Sequence, residues 1–229
     1  MATISTNTGS TSSTNTGTVP AARVTRALLA AGAVAGPLYV LVSVAQGLTR
    51  DGFDFSRHAW SLLANGDLGW IQVTNLVVAG VLSLALAAAL RRLPDLGGWA
   101  PRLIAVYGAS LIASGVFRAD PALGFPAGTP DETAEVSWHG MLHFVSGGIG
   151  FACLIAACFV LGRRFAAEGR RGWAAFSRTT GALFLAGFVG MAAGAGSSVA
   201  NLAFTAAILL VWAWLSAVAV HLHHRLPNA

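Results

Sequence analysis

No lysine occurs anywhere in the 229-residue chain; all 14 basic residues are arginines. They outnumber the 9 acidic residues for a formal charge of +5, but they fall in short clusters rather than one basic tract, which argues against a nucleic-acid surface. Charge is scarce altogether: 10% of residues are charged, against about 25% in a soluble domain. A soluble globular reading is thereby excluded. Cysteine is nearly absent too. Cys153 and Cys158 lie in one apolar run and project about 140° apart on a helix, so they cannot pair and act as small fillers. No phosphate-binding glycine loop, nucleophile elbow or dinucleotide fingerprint is present, because the 27 glycines sit largely within apolar stretches.

Hydrophobic residues make up 55% of the chain and the mean hydropathy is +0.66. Crossing a hydrocarbon core takes about 20 apolar residues in a helix, and six runs approach or meet that length: 27–48, 70–90, 100–117, 139–161, 179–196 and 199–220. The last two are joined only by Ser197 and Ser198, which predicts a tight helical hairpin. The expectation is an all-α polytopic bundle of six transmembrane helices over 23–226. It follows a disordered Ser/Thr-rich cytoplasmic tail over 1–22, whose first 20 positions hold 11 Ser or Thr and no charge. Eleven arginines fall on one predicted face, including Arg91, Arg92, Arg163, Arg164, Arg170, Arg171 and Arg225. Only Arg50, Arg57 and Arg118 fall on the other, with most of the acids. Cytoplasmic loops retain arginine, so both termini are predicted cytoplasmic and the location is a cell membrane, a bacterial inner membrane by expectation.

Small residues four apart let helices approach closely: Gly32 and Gly36, Ser110 and Ser114, Gly190 and Gly194. They predict packing seams within the bundle and would also serve a homodimer. No internal repeat relates the first three helices to the last three, which weighs against an inverted-repeat transporter.

Polar residues inside membrane spans are costly, and here they concentrate toward the predicted outer ends. Ser43, Gln46, Gln72, Asn75, Ser114, Ser146 and Asn201 belong to this group. With Arg118 at the exit of the third helix, the residues Gln46, Gln72, Asn75 and Asn201 are assigned to an outward-facing polar pocket for a membrane lipid or small amphiphile. The competing reading is that these groups only knit neighbouring helices. Two outer loops feed the region. In the first, Thr49 to Gly69, Ser56 is expected to cap an interfacial helix with Phe53, Phe55, Trp60 and Trp70 at headgroup depth, and Asn65-Gly66 to mark a turn. In the second, Pro121, Pro126 and Pro130 restrict the chain, so it forms either a shaped lid over the pocket or an inert connector.

Four segments stand in order along the chain: Gly36-Pro37-Leu38-Tyr39; Ser61-Leu62-Leu63 with Gly69-Trp70; Gly115-Val116-Phe117-Arg118-Ala119-Asp120-Pro121; and His139-Gly140-Met141-Leu142-His143. In these segments the chain resembles a membrane family known only as domain of unknown function 998. The resemblance covers about residues 27 to 222. It implies a six-helix integral membrane fold and brings no activity, substrate or cofactor.

The sharpest chemical constellation is His139 and His143, one helical turn apart on a common face, a spacing that can chelate zinc. His58, Asp67 or Asp120 would supply a third ligand, with Asp67 or Asp120 as general base, since HGMLH lacks the glutamate of HExxH. This layout resembles the membrane-embedded hydrolases of the ceramidase and progestin-receptor superfamily, and implies a zinc-dependent lipid hydrolase as the alternative function. A structural or partner-binding membrane protein is the third reading. Haem is disfavoured because well-placed histidines occur only on the fourth helix. His221, His223 and His224, beside Arg225, read as a solvated helix end near anionic headgroups.

Overall fold

The computed structural model describes residues 18–96, 98–131, 136–194 and 197–226. Its long elements are six helices: α1 Thr18–Thr49, α2 Gly69–Arg91, α3 Trp99–Val116, α4 Trp138–Ala167, α5 Arg171–Ala193 and α6 Ser198–Arg225. Among the described residues the fold is all-α, apart from one isolated bridge between Ala122 and Phe125. Each helix packs on its neighbours in the chain, and α6 closes the ring against α1. Four helices, α1, α2, α4 and α6, are long and apolar enough to cross a membrane. The large aliphatic and aromatic side chains exposed along them, such as Leu41 and Ile149, are what a lipid-facing surface requires. Trp70, Trp99 and Trp138 project outward near the first residues of their helices, the position of aromatic belts at membrane interfaces.

Residues 1–17 lie outside the described part of the chain. Helix α1 begins at Thr18, inside the segment 1–22 that was expected to lack structure. Pro20 stands in the first turn, where a missing N–H breaks no helical bond, and Ala21 and Ala22 follow with high helix propensity.

The ring has two distinct ends. Both described termini meet at one of them, where Arg26 donates to the carbonyl of Leu226. At this arginine end a single carboxylate, Glu168, lies 3.2 Å from Arg164, 3.4 Å from Arg170 and 3.0 Å from Arg225, tying the α4–α5 turn to the end of α6. The opposite, loop end carries the two long connections. Between the ends, helices meet over small residues. One close crossing is at Gly80 of α2 and Gly108 of α3, where a Cβ on either would press on the other's carbonyl oxygen. The anticipated seams divide among partners: Gly32 faces Leu86 of α2, Gly36 faces Trp212 of α6, and Ser110 and Ser114 face Gly150 and Ser146 of α4. Of the last pair, a Cβ added at Gly190 would meet nothing within 4 Å, while one at Gly194 would lie 3.1 Å from Cβ of Ala200 in α6, and Gly187 adds a second close α5–α6 approach.

The first loop, between α1 and α2, departs from the expected interfacial helix. It is a series of turns leading to one five-residue 3-10 turn, Trp60–Ala64. Asp54, not Ser56, makes the local cap: its Oδ1 accepts from the Ser56 amide at 2.7 Å. Trp60 is 3% exposed and packs on Tyr39, so it belongs to the core rather than to the headgroup layer; of the four aromatics named there, only Trp70 points outward. Gly66, at φ +71°, takes the left-handed conformation that the Asn65-Gly66 pair suggested.

Candidate functional site

The loop end is built by hydrogen bonds between the two connections. His58 bridges them: its Nδ1 accepts from the Asp54 amide at 2.9 Å, which leaves Nε2 to donate to the Leu123 carbonyl at 2.9 Å. Arg50 donates to the carbonyls of Leu63 and Asn65 and lies 4.9 Å over the ring of Phe125. Burial pushes the Arg50 pKa down, while the charge of Asp67 works the other way. Asn201 of α6 donates to the carbonyls of Phe55 and His58 at 2.8 and 3.3 Å, fixing the first loop over the ring of helices. Phe125, buried, inserts its ring against Phe53 and His58. The second connection is thus a packed turn resting on the first.

Asp120 organises the start of α4. Its Oδ1 accepts from the Ser137 hydroxyl at 2.6 Å and its Oδ2 from the Ser137 amide at 2.8 Å, while the Ser137 hydroxyl caps the amide of Gly140. Gly140 is required here, because a Cβ at that position would collide with the Asp120 carboxylate. Burial works to raise the Asp120 pKa; the two bonds from Ser137, helped by His139 and His143, outweigh it and hold the carboxyl below its ordinary value. His139 places Nδ1 3.5 Å from Asp120 Oδ1 and 3.3 Å from the Arg118 carbonyl. One turn on, buried His143 directs Nδ1 to the carbonyls of Ser114 and Phe117 at 3.0 and 2.9 Å. Two carbonyl partners assign the proton to Nδ1 and leave the lone pair on Nε2, which has no hydrogen-bond partner among the described residues.

Beneath this roof lies a cavity of about 690 Å³, within the range of small-molecule sites. Its walls come from α3 to α6 together with Tyr39 and Leu76. They are mostly apolar: Phe151 sits 5.2 Å from Phe184, 5.4 Å from Phe188 and 5.7 Å from Phe204, and Trp212 stacks on Tyr39 at 4.9 Å. Tyr107, 2% exposed, lies 5.8 Å from Trp212 on the same wall. Charged groups border the cavity only where the loops cover it, at Arg57, Asp120 and Asp131, with His143 just below. Phe144 both lines the cavity and is 60% exposed on the outer surface of α4.

The polar residues singled out in the sequence are distributed differently from the single pocket expected of them. Gln46, Gln72, Asn75 and Ser43 gather between α1 and α2, outside the cavity wall. Gln72 Oε1 accepts from Gln46 at 2.8 Å, Asn75 at 3.2 Å and Ser43 at 3.3 Å, and Asn75 also reaches the Tyr39 carbonyl. Asn201 holds the first loop, and Arg118 is exposed with its carbonyl on His139. His143 and Asp120 do reach the cavity. His139, His143 and His58 are not brought together: among the described residues no three His, Cys, Asp or Glu side chains form a metal-ligating group, and His58 commits both ring nitrogens to backbone. Asp67 is exposed near Arg50 and away from the cavity wall. The aromatic wall itself, Tyr107, Phe151, Phe184, Phe188, Phe204 and Trp212, was not anticipated. Phenylalanines on helices that are apolar all round carry no sign of which face is inward.

The motifs quoted above meet in space: Gly140 admits the Asp120 carboxylate, and His143 receives the Ser114 and Phe117 carbonyls next to the Gly115 to Pro121 segment. No curated protein and no solved structure matches this chain. A family model described as protein of unknown function (DUF998) matches residues 33–221, the full run from mid-α1 to the last turns of α6, and the chain belongs to that family.

Proposed function

We propose that this chain is a six-span protein of the cytoplasmic membrane, with both termini on the cytoplasmic side, whose cavity binds a lipid or small amphiphile taken from the bilayer. The observation that carries the reading is the cavity itself: about 690 Å³, walled by aromatic and aliphatic side chains, with charge confined to its loop end. An amphiphile has that same distribution of polarity. Phe144, which both lines the cavity and faces outward from α4, marks a side access from the membrane next to α5. The eleven-to-three arginine split supports the topology, with the Glu168 cluster inside and the two loops outside. Although α3 has only 18 residues, it rises about 27 Å, close to the thickness of a hydrocarbon core.

Filling the cavity tests the binding reading. Gly148 of α4 lines it, and the nearest atom to a Cβ there is a ring carbon of Phe188 at 4.0 Å. Replacing glycine in a helix interior is favourable by up to about 1 kcal/mol, so Gly148→Phe is expected to keep or raise thermal stability while displacing most co-purified lipid. Unchanged lipid content in a folded Gly148→Phe protein would overturn the reading. For topology, a cysteine at Thr129 should react with an impermeant thiol reagent on intact cells and one at Gly169 should not. The reverse pattern would invert the assignment.

A further inference from the structure

Two ionisable side chains at the cavity's loop end, Asp120 and His143, both offer acceptors to it, and that shared sense specifies the ligand's head. Arg57 is the cation bordering the cavity, and it faces Asp131 at 3.2 Å. That pair cancels in charge, so among the described residues that line the rim Asp120 carries the net charge. Asp120 takes two bonds from Ser137, and each of its oxygens keeps a further lone pair to offer. Next to it, His143 offers an acceptor as well, because its one proton is held on Nδ1 by the carbonyls of Ser114 and Phe117. Below them the hydroxyl of Ser114 is engaged with Ser146, and that of Ser110 with the Tyr107 carbonyl. At Asp120 and His143 the cavity therefore presents acceptors and negative charge, so an anionic head seated there would face a carboxylate and a lone pair. A buried donor on the lining without a partner among the described residues, the indole N–H of Trp60, comes from the 3-10 turn of the first loop.

Resting on the amphiphile reading above, we infer that the ligand is a chain amphiphile whose head is a hydrogen-bond-donating cation, a primary amine, seated between Asp120 and His143. Its chain runs down the aromatic wall. From His143 to Phe151 along α4 is eight residues, a depth of about 12 Å, enough for most of a medium-length alkyl chain. The Phe151, Phe184, Phe188 and Phe204 cluster closes around its end. A carboxylate partly withdrawn from water attracts an opposite charge and repels a like one, so head charge should discriminate here.

The test uses the full chain in phosphatidylcholine nanodiscs and three probes that share one chain: dodecylamine, 1-dodecanol and dodecanoate. At about pH 8 the first is a cation and the last an anion. Saturable binding is read by calorimetry against empty nanodiscs. Dodecylamine is expected to bind at least about tenfold more tightly than dodecanoate, with dodecanol between them. Asp120→Asn should shrink the advantage of amine over alcohol several-fold and leave the alcohol's own affinity near its original value. Because the ranking is measured on the unaltered protein, it does not depend on how that variant folds. Equal binding of all three, or tighter binding of dodecanoate, overturns the assignment of the head while the cavity stands. If no probe binds above empty nanodiscs, the amphiphile reading falls, and the head-group inference with it.

Discussion

The α1–α2 side of the bundle and the α3–α6 side use polar residues in opposite ways. Between α1 and α2, four uncharged polar side chains find one another, and none of the four lines the cavity. Across the ring, α3 to α6 wall most of a space of about 690 Å³ with aromatic rings, and charged groups are kept to the rim. The difference follows from the solvent. In a bilayer an amide left alone costs several kcal/mol, so amides draw the helices that carry them together. A phenyl ring needs no partner, so helices lined with rings can stand apart around a space that an apolar molecule fills. Conspicuous polar residues in a membrane sequence therefore mark where helices are sealed, and the binding space lies where they are few.

Removing the seal should have the largest effect. Gln72 is the common acceptor for Ser43, Gln46 and Asn75, and Gln72→Leu leaves three donors without it. Bonds of this kind in membranes average about 0.6 kcal/mol and reach about 1.7, so a loss on the order of 2 kcal/mol is expected in thermal unfolding. The lipid bound per folded molecule should stay the same, because Gln72 does not line the cavity. A variant that keeps its stability but loses lipid would reverse the roles of the two sides.

Acidification probes the join between roof and helices. The folded-state pKa of Asp120 lies below its ordinary value near 3.9, so its contribution to stability is fully present above about pH 4 and is lost as pH falls through the folded value. Asp54, whose pKa is also lowered, by its bonds to Ser56 first of all, gives a slope of the same sign. The two are separated by difference: the gap in melting temperature between the native protein and Asp120→Asn should narrow as pH drops from about 6 to about 3. A gap that stays constant across that range would mean that the carboxylate charge adds nothing to the α4 cap.

Helix placement was largely legible. The run 70–90 became Gly69–Arg91 and 100–117 became Trp99–Val116, because arginine pairs, Pro94 and the glycines before Trp99 end apolar runs abruptly. The helices overrun their apolar segments at the arginine end, as α4 does to Ala167, since arginine is itself a good helix former and is drawn into the Glu168 cluster. The site was legible only in part. His143 and Asp120 stood out as rare ionisable residues at helix ends. Gln46, Gln72 and Asn75 stood out equally, yet their function depends on which of them face each other across two helices, and spacing within one helix does not reveal that. Trp60 was misplaced because an exposed interfacial tryptophan and a buried one look alike in sequence; its contact with Tyr39, 21 positions earlier, decides the matter.

The smallest effect is expected where, among the described residues, an ion pair joins the two loops. Arg57 and Asp131 lie 3.2 Å apart with side chains 47% and 77% exposed, so water and salt screen them and the pair contributes at most about 0.5–1 kcal/mol. The roof is held instead by the buried contacts of His58, Arg50 and Phe125, so Arg57→Ala should shift the melting temperature barely and leave lipid retention intact. The same change unmasks Asp131 and makes the rim more negative, which should tighten dodecylamine binding modestly and weaken that of dodecanoate, more at low salt than at high. A large loss of stability in Arg57→Ala would show the roof to be fastened by charge. The loop end would then resemble the Glu168 cluster at the far end of the bundle, and the contrast between a charge-tied end and a hydrogen-bonded one would not survive.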